Sequence, residues 1–361
     1  EQALPLNHIL LDTSERNGAH AVRHAGIERL DLGPVQAFWT RWFDMGRAWP
    51  VEDLYYGLMR RFLRRVVLDQ PEALARVQGR PLMYLANHQV GIESLLFAVL
   101  ASGLNGVPTV TVAKAEHRTT WLGHLITLCF QYPGVLDPKV ITYFDRDDKA
   151  SLVGIIAELA RGLKTPQRSK GGELAPGQSV MVHVEGTRSL ECRTPVQKMS
   201  GAFIDMALQT GTPIVPVRFV GGLPVQALER RIEYPVGLGT QDVWLGAPIH
   251  PEELAKMPYG ERKKRVMQAL NELGPANAAE QPHEADPHLE EAVQAWMARS
   301  GASHEHAVLY EVLRAQGDLC EETGALIEAI GRGAPLEGDE PEDDWLRALR
   351  ARLDPRAGVT P

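Results

Sequence analysis

A histidine five residues ahead of a carboxylate opens the chemically suggestive part of this chain, in Asn87-His88-Gln89-Val90-Gly91-Ile92-Glu93. A carboxylate at a strand-to-helix junction can fix one imidazole tautomer and make His88 a usable general base near neutral pH. The same spacing also suits an ordinary structural pair. In Tyr143-Phe144-Asp145-Arg146-Asp147 an arginine follows an apolar run. Its forked guanidinium can bind a phosphate or simply pair with the flanking aspartates. In Val184-Glu185-Gly186-Thr187-Arg188-Ser189 a Gly-Thr turn lets backbone approach a ligand closely, although it could equally be a plain turn. Arg188, Arg193 and Lys198 add positive charge there, as a phosphate site needs. Ile214-Val215-Pro216-Val217, with its internal proline, reads alone as an edge strand or a strand end.

The elements that must position these blocks alternate. Strands are predicted over 82–86, 107–112, 140–144, 179–183, 214–219 and 242–245. Helices are predicted over 92–102, 121–130, 149–162, 201–210 and 251–273. Buried Val- and Ile-rich strands with crossover helices predict an α/β fold: a mostly parallel or mixed central sheet with helices on both faces. Residues 1–80 read as a polar lead-in followed by two amphipathic helices within 35–68. These are rich in Trp and Phe, and the second carries Arg60, Arg61, Arg64 and Arg65. They suit either a hairpin packed on the body or a helix lying on an anionic membrane surface. Residues 81–274 form the expected catalytic domain, with 167–177 as a mobile loop. Residues 275–361 read as a Pro-rich linker and an acidic helical extension.

Taken together and in order, the four blocks resemble those of the glycerolipid acyltransferases, above all the 1-acyl-glycerol-3-phosphate acyltransferases. That family carries N-H-x4-D, an arginine block, E-G-T-R-S and a V-P-V strand. The corresponding residues are Asn87, His88 and Glu93, then Arg146, then Glu185 to Arg188, then Val215 to Val217. Glu93 stands where the family has Asp, and His183-Val184 where it usually has Phe-Pro. His183 by itself reads as a core or rim histidine. The resemblance implies that His88 and Glu93 are catalytic. Arg146, Arg188 and Lys198 would hold an acceptor phosphate, and Glu185, Gly186 and Thr187 would shape the pocket. It also implies acyl transfer from a thioester, acyl-carrier protein or acyl-CoA, to the sn-2 hydroxyl of lysophosphatidic acid, with no metal or bound cofactor. Backbone N–H groups near the helix start are expected to stabilise the oxyanion. An acyl hydrolase using the same base on water, and a docking domain that has lost catalysis, are the alternatives. Some bacterial polyunsaturated fatty acid synthases, notably myxobacterial ones, end in a similar domain. A chain opening without Met therefore raises the expectation of a domain cut from such a synthase.

The chain has 361 residues and a net charge of −8, which by itself argues against an anionic partner. The charge is unevenly placed. Residues 278–361 hold 18 acidic and 7 basic side chains, and the remainder holds 28 and 31. A mildly basic body thus carries an acidic tail, which is expected to be a separable appendage whose deletion leaves the His88 chemistry intact. Three scattered cysteines argue against a disulfide scaffold. No 18-residue apolar run or charged-then-apolar leader occurs, so a cytoplasmic protein, peripheral on the inner face of a membrane, is expected.

Overall fold

The computed structural model describes residues 25–26, 32–135, 139–145, 147–336, 338 and 340–358. Among the described residues ten strands occur: β1 (Ala25–Gly26), β2 (Leu63–Leu68), β3 (Met83–Ala86), β4 (Thr109–Lys114), β5 (Ile141–Phe144), β6 (Gln167–Arg168), β7 (Leu174–Ala175), β8 (Ser179–His183), β9 (Ile214–Val220) and β10 (Gln241–Leu245). Eight of them form one sheet in the order β1-β2-β10-β9-β3-β8-β4-β5. From β9 to β5 neighbouring strands are parallel, while β10 runs antiparallel to β9. The expected mobile loop over 167–177 is a short hairpin of β6 and β7.

Strand alternation sorts side chains to two faces. Tyr84, Ala86, Met181, Val215 and Val217 join one apolar core, and Met83, Leu85, Val180 and Val182 join the other. The helices α1 (Gly33–Phe43), α2 (Pro50–Phe62), α3 (Pro71–Ala75), α4 (Glu93–Asn105) and α5 (Trp121–Phe130) contribute to the first. The second is covered by α6 (Lys149–Lys164), α7 (Ala202–Thr210), α8 (Pro251–Ala255) and α9 (Tyr259–Asn271). The single helix expected over 251–273 breaks into α8 and α9 at Pro258, because a proline ring removes one helix hydrogen bond and crowds the preceding turn.

Three sequence expectations change. Residues 63–68, expected to extend the second basic helix, are β2, whose ladder with β10 overrides the helical spacing. Pro216 lies in an interior strand rather than at an edge. Its carbonyl accepts from Gly246 N where the β9–β10 register has already ended at Val217 and Leu245. The missing N–H on that side therefore interrupts no ladder. The third change concerns 35–68. Phe38, Trp39, Trp42, Phe43 and Trp49 are buried, and Trp39 Nε1 donates to Val99 O at 3.0 Å. The arginines are paired: Arg60 with Asp318, Arg61 with Asp286, and Arg64 and Arg65 with Asp242. Of the two alternatives for this segment the structure shows the one packed on the body, with the aromatic side chains buried and the arginines paired but still partly exposed.

The tail does the covering. Helices α10 (Pro287–Ser300), α11 (His304–Arg314), α12 (Glu321–Arg332) and α13 (Pro341–Leu353) belong to the first core. The α11 helix packs on α2, and Trp345 Nε1 donates to Leu128 O at the end of α5. The segment expected to be a linker carries Glu280, only 1% exposed. The expectation of a separable appendage fails because the tail and the body bury one continuous apolar surface.

Beneath α11 and α12, α2 hides two adjacent carboxyls. Burial and neighbouring Asp53 push the Glu52 carboxyl up to about 7. A raised carboxyl contributes stability that is complete below about 4.5 and lost as pH climbs through about 7. Glu52→Gln should therefore raise the melting temperature by several degrees at pH 8 and by much less at pH 5. Equal shifts at both pH values would show that Glu52 is not the strained ion.

Candidate active site

The carboxyl ends of the parallel strands converge on a cleft of about 620 Å³, the position where open α/β sheets place their ligands. His88 follows β3, His183 ends β8, Lys114 ends β4, and Tyr143 and Phe144 end β5. Its lining combines Lys114, His117, Arg188, Lys198 and Arg231 with the apolar side chains of Leu122, Ile126, Ile141, Leu152, Met199 and Phe203.

Glu93 is the first residue of α4 and is 1% exposed. It accepts from the N–H groups of Gln89 and Val90 at 3.0 and 3.1 Å, and from Gln241 Nε2 at 2.7 Å. Its Oε2 lies 2.8 Å from His88 Nδ1. A carboxylate already accepting these bonds places the shared proton on Nδ1, which leaves Nε2 on the opposite edge as the bare nitrogen. The extra methylene relative to aspartate is thus accommodated by a glutamate that also holds the loop ahead of its helix. Burial pushes the Glu93 carboxyl up to about 7, against the donors and His183. Burial foremost, then Arg188, His117, Lys114 and Arg231, hold His88 well below its ordinary value. At neutral pH the imidazole is neutral and ready to accept a proton.

These bonds narrow one expectation. The N–H groups of Gln89 and Val90 go to Glu93, and those of Gly91 and Ile92 go to the carbonyls of Ile232 and Glu233. These four amides are therefore engaged within the protein.

The remaining candidates fall as follows. Arg188 Nη1 donates to Ile232 O and to Glu233 Oε1 at 2.6 Å, while Glu233 Oε2 accepts from Trp121 Nε1. A Cβ at Gly91 would overlap this Glu233–Arg188 pair, so the glycine lets the loop and the pair lie together. Gly186 turns the chain at φ 66°, a conformation glycine adopts without strain. Ser189 N then donates to His88 O and ties the turn to the histidine. Glu185 and Lys198 share the cleft wall, and Lys198 partly offsets the upward push of burial on the Glu185 carboxyl. Thr187 lines the same wall. Arg146 lies outside the described residues. Asn87 clamps β9, its amide exchanging both hydrogen bonds with the backbone of Phe219.

Five residues have a part here that the sequence reading did not give them. His183 stacks on His88 with ring centroids 3.5 Å apart and planes 11° from parallel. Gln241 and Gln89 link Glu93 to Glu280, which pairs with Arg218 at 2.5 Å. Only strand order and long-range packing reveal them. His88, Glu93 and His183 each offer a ligand atom within 4.8 Å of the others. Two rings stacked this closely hold their lone pairs in separate parallel planes, however. A metal would lie well out of plane for both, so the donors do not fit an ion.

Residues 65–220, which contain His88, Glu93 and the 185–188 turn, match the model of the Acyltransferase family. Most of the residues that line the cleft fall within this matched stretch. Among solved structures, the 1-acyl-sn-glycerophosphate (LPA) acyltransferase PlsC from Thermotoga maritima is similar at 21% identity, over 62% of this chain and 80% of its own, with a TM-score of 0.37. That superposition is too loose to transfer residue roles. No curated protein matches the chain.

Proposed function

We propose that this domain transfers a fatty acyl group from a thioester to the sn-2 hydroxyl of lysophosphatidic acid, giving phosphatidic acid. The observation that carries this reading is a neutral histidine, its Nδ1 fixed by a buried carboxylate, in a cleft lined by both cationic and apolar side chains. His88 Nε2 takes the hydroxyl proton as the oxygen attacks the thioester carbonyl carbon. The tetrahedral intermediate collapses, the C–S bond breaks, and the departing thiolate takes the proton from the imidazolium. Glu93 keeps the ring oriented and stabilises its charged form. The cations around His88 favour the developing oxyanion. The apolar lining suits an acyl chain, and the cationic side chains suit a phosphate.

The two thioester donors differ in what carries the acyl chain. A carrier-protein donor would make the reaction the release step of a fatty acid synthase; acyl-CoA would make it a free-standing step of phospholipid synthesis. A membrane contact through residues 35–68 forms no part of this proposal, since those aromatics are buried. Among the described residues, no helix is long and apolar enough to cross a membrane.

The test supplies lysophosphatidic acid, or its dephosphorylated analogue, with acyl-CoA or acyl-carrier protein, and identifies products by mass. Phosphatidic acid is the expected product; release of free fatty acid alone would make the enzyme a hydrolase instead. Arg188→Gln should raise the KM for lysophosphatidic acid by about 10–100-fold, the size of a lost charged hydrogen bond. The KM for the dephosphorylated acceptor should move little. Equal losses for both acceptors would remove Arg188 from phosphate binding.

A further inference from the structure

We propose that His183 is a positioning residue for this reaction: its ring is the plate that holds His88 face to face, and that face stabilises the imidazolium formed when His88 takes the proton. The inference rests on the general-base reading of His88 given above.

Three observations carry it. The first is the stack, tighter than the usual spacing of aromatic pairs. It follows from register, because Ala86 of β3 lies opposite His183 of β8 and His88 stands two residues beyond Ala86 on the same face. The second is that both nitrogens of His183 are occupied elsewhere. Nδ1 donates to Asn87 O at 2.6 Å, and Nε2 lies 3.1 Å from the Ser94 hydroxyl, which donates to it. The ring is therefore anchored at both edges and offers His88 only its π face. The third is charge. Burial, followed by the neighbouring His88, pushes His183 down to about 3. A neutral ring against a developing cation is attractive, whereas a second imidazolium would oppose it. A base anchored only at Nδ1 by Glu93 could pivot about that bond. A plate 3.5 Å away removes the pivot.

The experiment compares two replacements in the full chain. His183→Phe keeps a flat face and loses both hydrogen bonds. His183→Asn keeps polar reach and loses the face. With kcat and both KM values measured, His183→Phe should stay within about three-fold of wild-type kcat. His183→Asn should fall about 10–30-fold with KM values within about two-fold, the size a desolvated cation–ring contact supports. In a His88→Ala background His183→Asn should have no further effect, since its action runs through His88. Equal kcat for His183→Phe and His183→Asn, or an undiminished fall in the His88→Ala background, overturns the proposal. If His183→Asn does not fold, Ser94→Ala tests the same point by releasing one edge of the plate. A fall of at least three-fold in kcat at constant KM supports the proposal, and an unchanged kcat overturns it. Full activity of His88→Ala alone would defeat the general-base reading itself. Loss in His88→Ala with a fully active His183→Asn defeats only the positioning role.

Discussion

His88→Ala should lower kcat for acyl transfer to lysophosphatidic acid by about 10²–10⁴-fold, the range a positioned general base contributes. The protein should keep its fold, because the ring is held by one hydrogen bond and one stack and neither supports a core element. The pH profile gives an independent check. The wild-type rate should fall on the acid side, below the ordinary histidine value of 6.5, because burial foremost, then Arg188, His117, Lys114 and Arg231, oppose protonation of His88. The midpoint belongs to the coupled His88–Glu93 pair rather than to either residue. In His88→Ala this acid limb should flatten. A variant that transfers acyl groups at the wild-type rate would end the proposed mechanism.

The second large effect lies far from the cleft in sequence. Arg218 and Glu280 form an ion pair with side chains 4% and 1% exposed. Arg218 also donates to the carbonyls of Asn271, Leu273 and Pro275, which closes the C-terminal end of α9. Removing only the carboxylate leaves a buried guanidinium without its countercharge, at about 3–5 kcal/mol. Glu280→Ala should lower the unfolding free energy by about that much, read as a lower urea midpoint. It should also lower activity, since Glu280 anchors Gln89, and Gln89 and Gln241 support Glu93. The double replacement Arg218→Met with Glu280→Leu should recover most of the stability, because an apolar pair restores packing without a stranded charge. A chain ended after Gly274 lacks both this carboxylate and the helices that cover α2 and α5. It is expected to lose cooperative unfolding and acyl transfer together. Retention of both would restore the view of the tail as an appendage.

Much of the sheet was legible in the sequence because it is written in local texture. Apolar runs ending in small or polar residues gave 179–183 and 121–130 to the residue, and most other elements to within two residues. His88 and Glu93 were legible because only five residues separate them, across the short loop from β3 to α4. His183 was visible as a residue but not as a partner, because its meaning depends on β8 lying beside β3. Glu233, Gln241 and Glu280 carry no local signal at all. The four arginines of 60–65 misled for a related reason. Their countercharges are Asp242, Asp286 and Asp318, so composition alone shows a basic helix where the fold has paired surfaces.

The packing of α2 beneath α11 also bears on how the polypeptide is made. Residues 50–62 leave the ribosome roughly 240 residues before 304–314, and synthesis runs at roughly 5–20 residues per second. For on the order of ten to fifty seconds, the buried apolar side chains of α2 lack the helix that packs on it. The nascent chain thus presents a long-lived apolar stripe to chaperones, and its yield in a cell should depend on them more than the stability of the finished protein does.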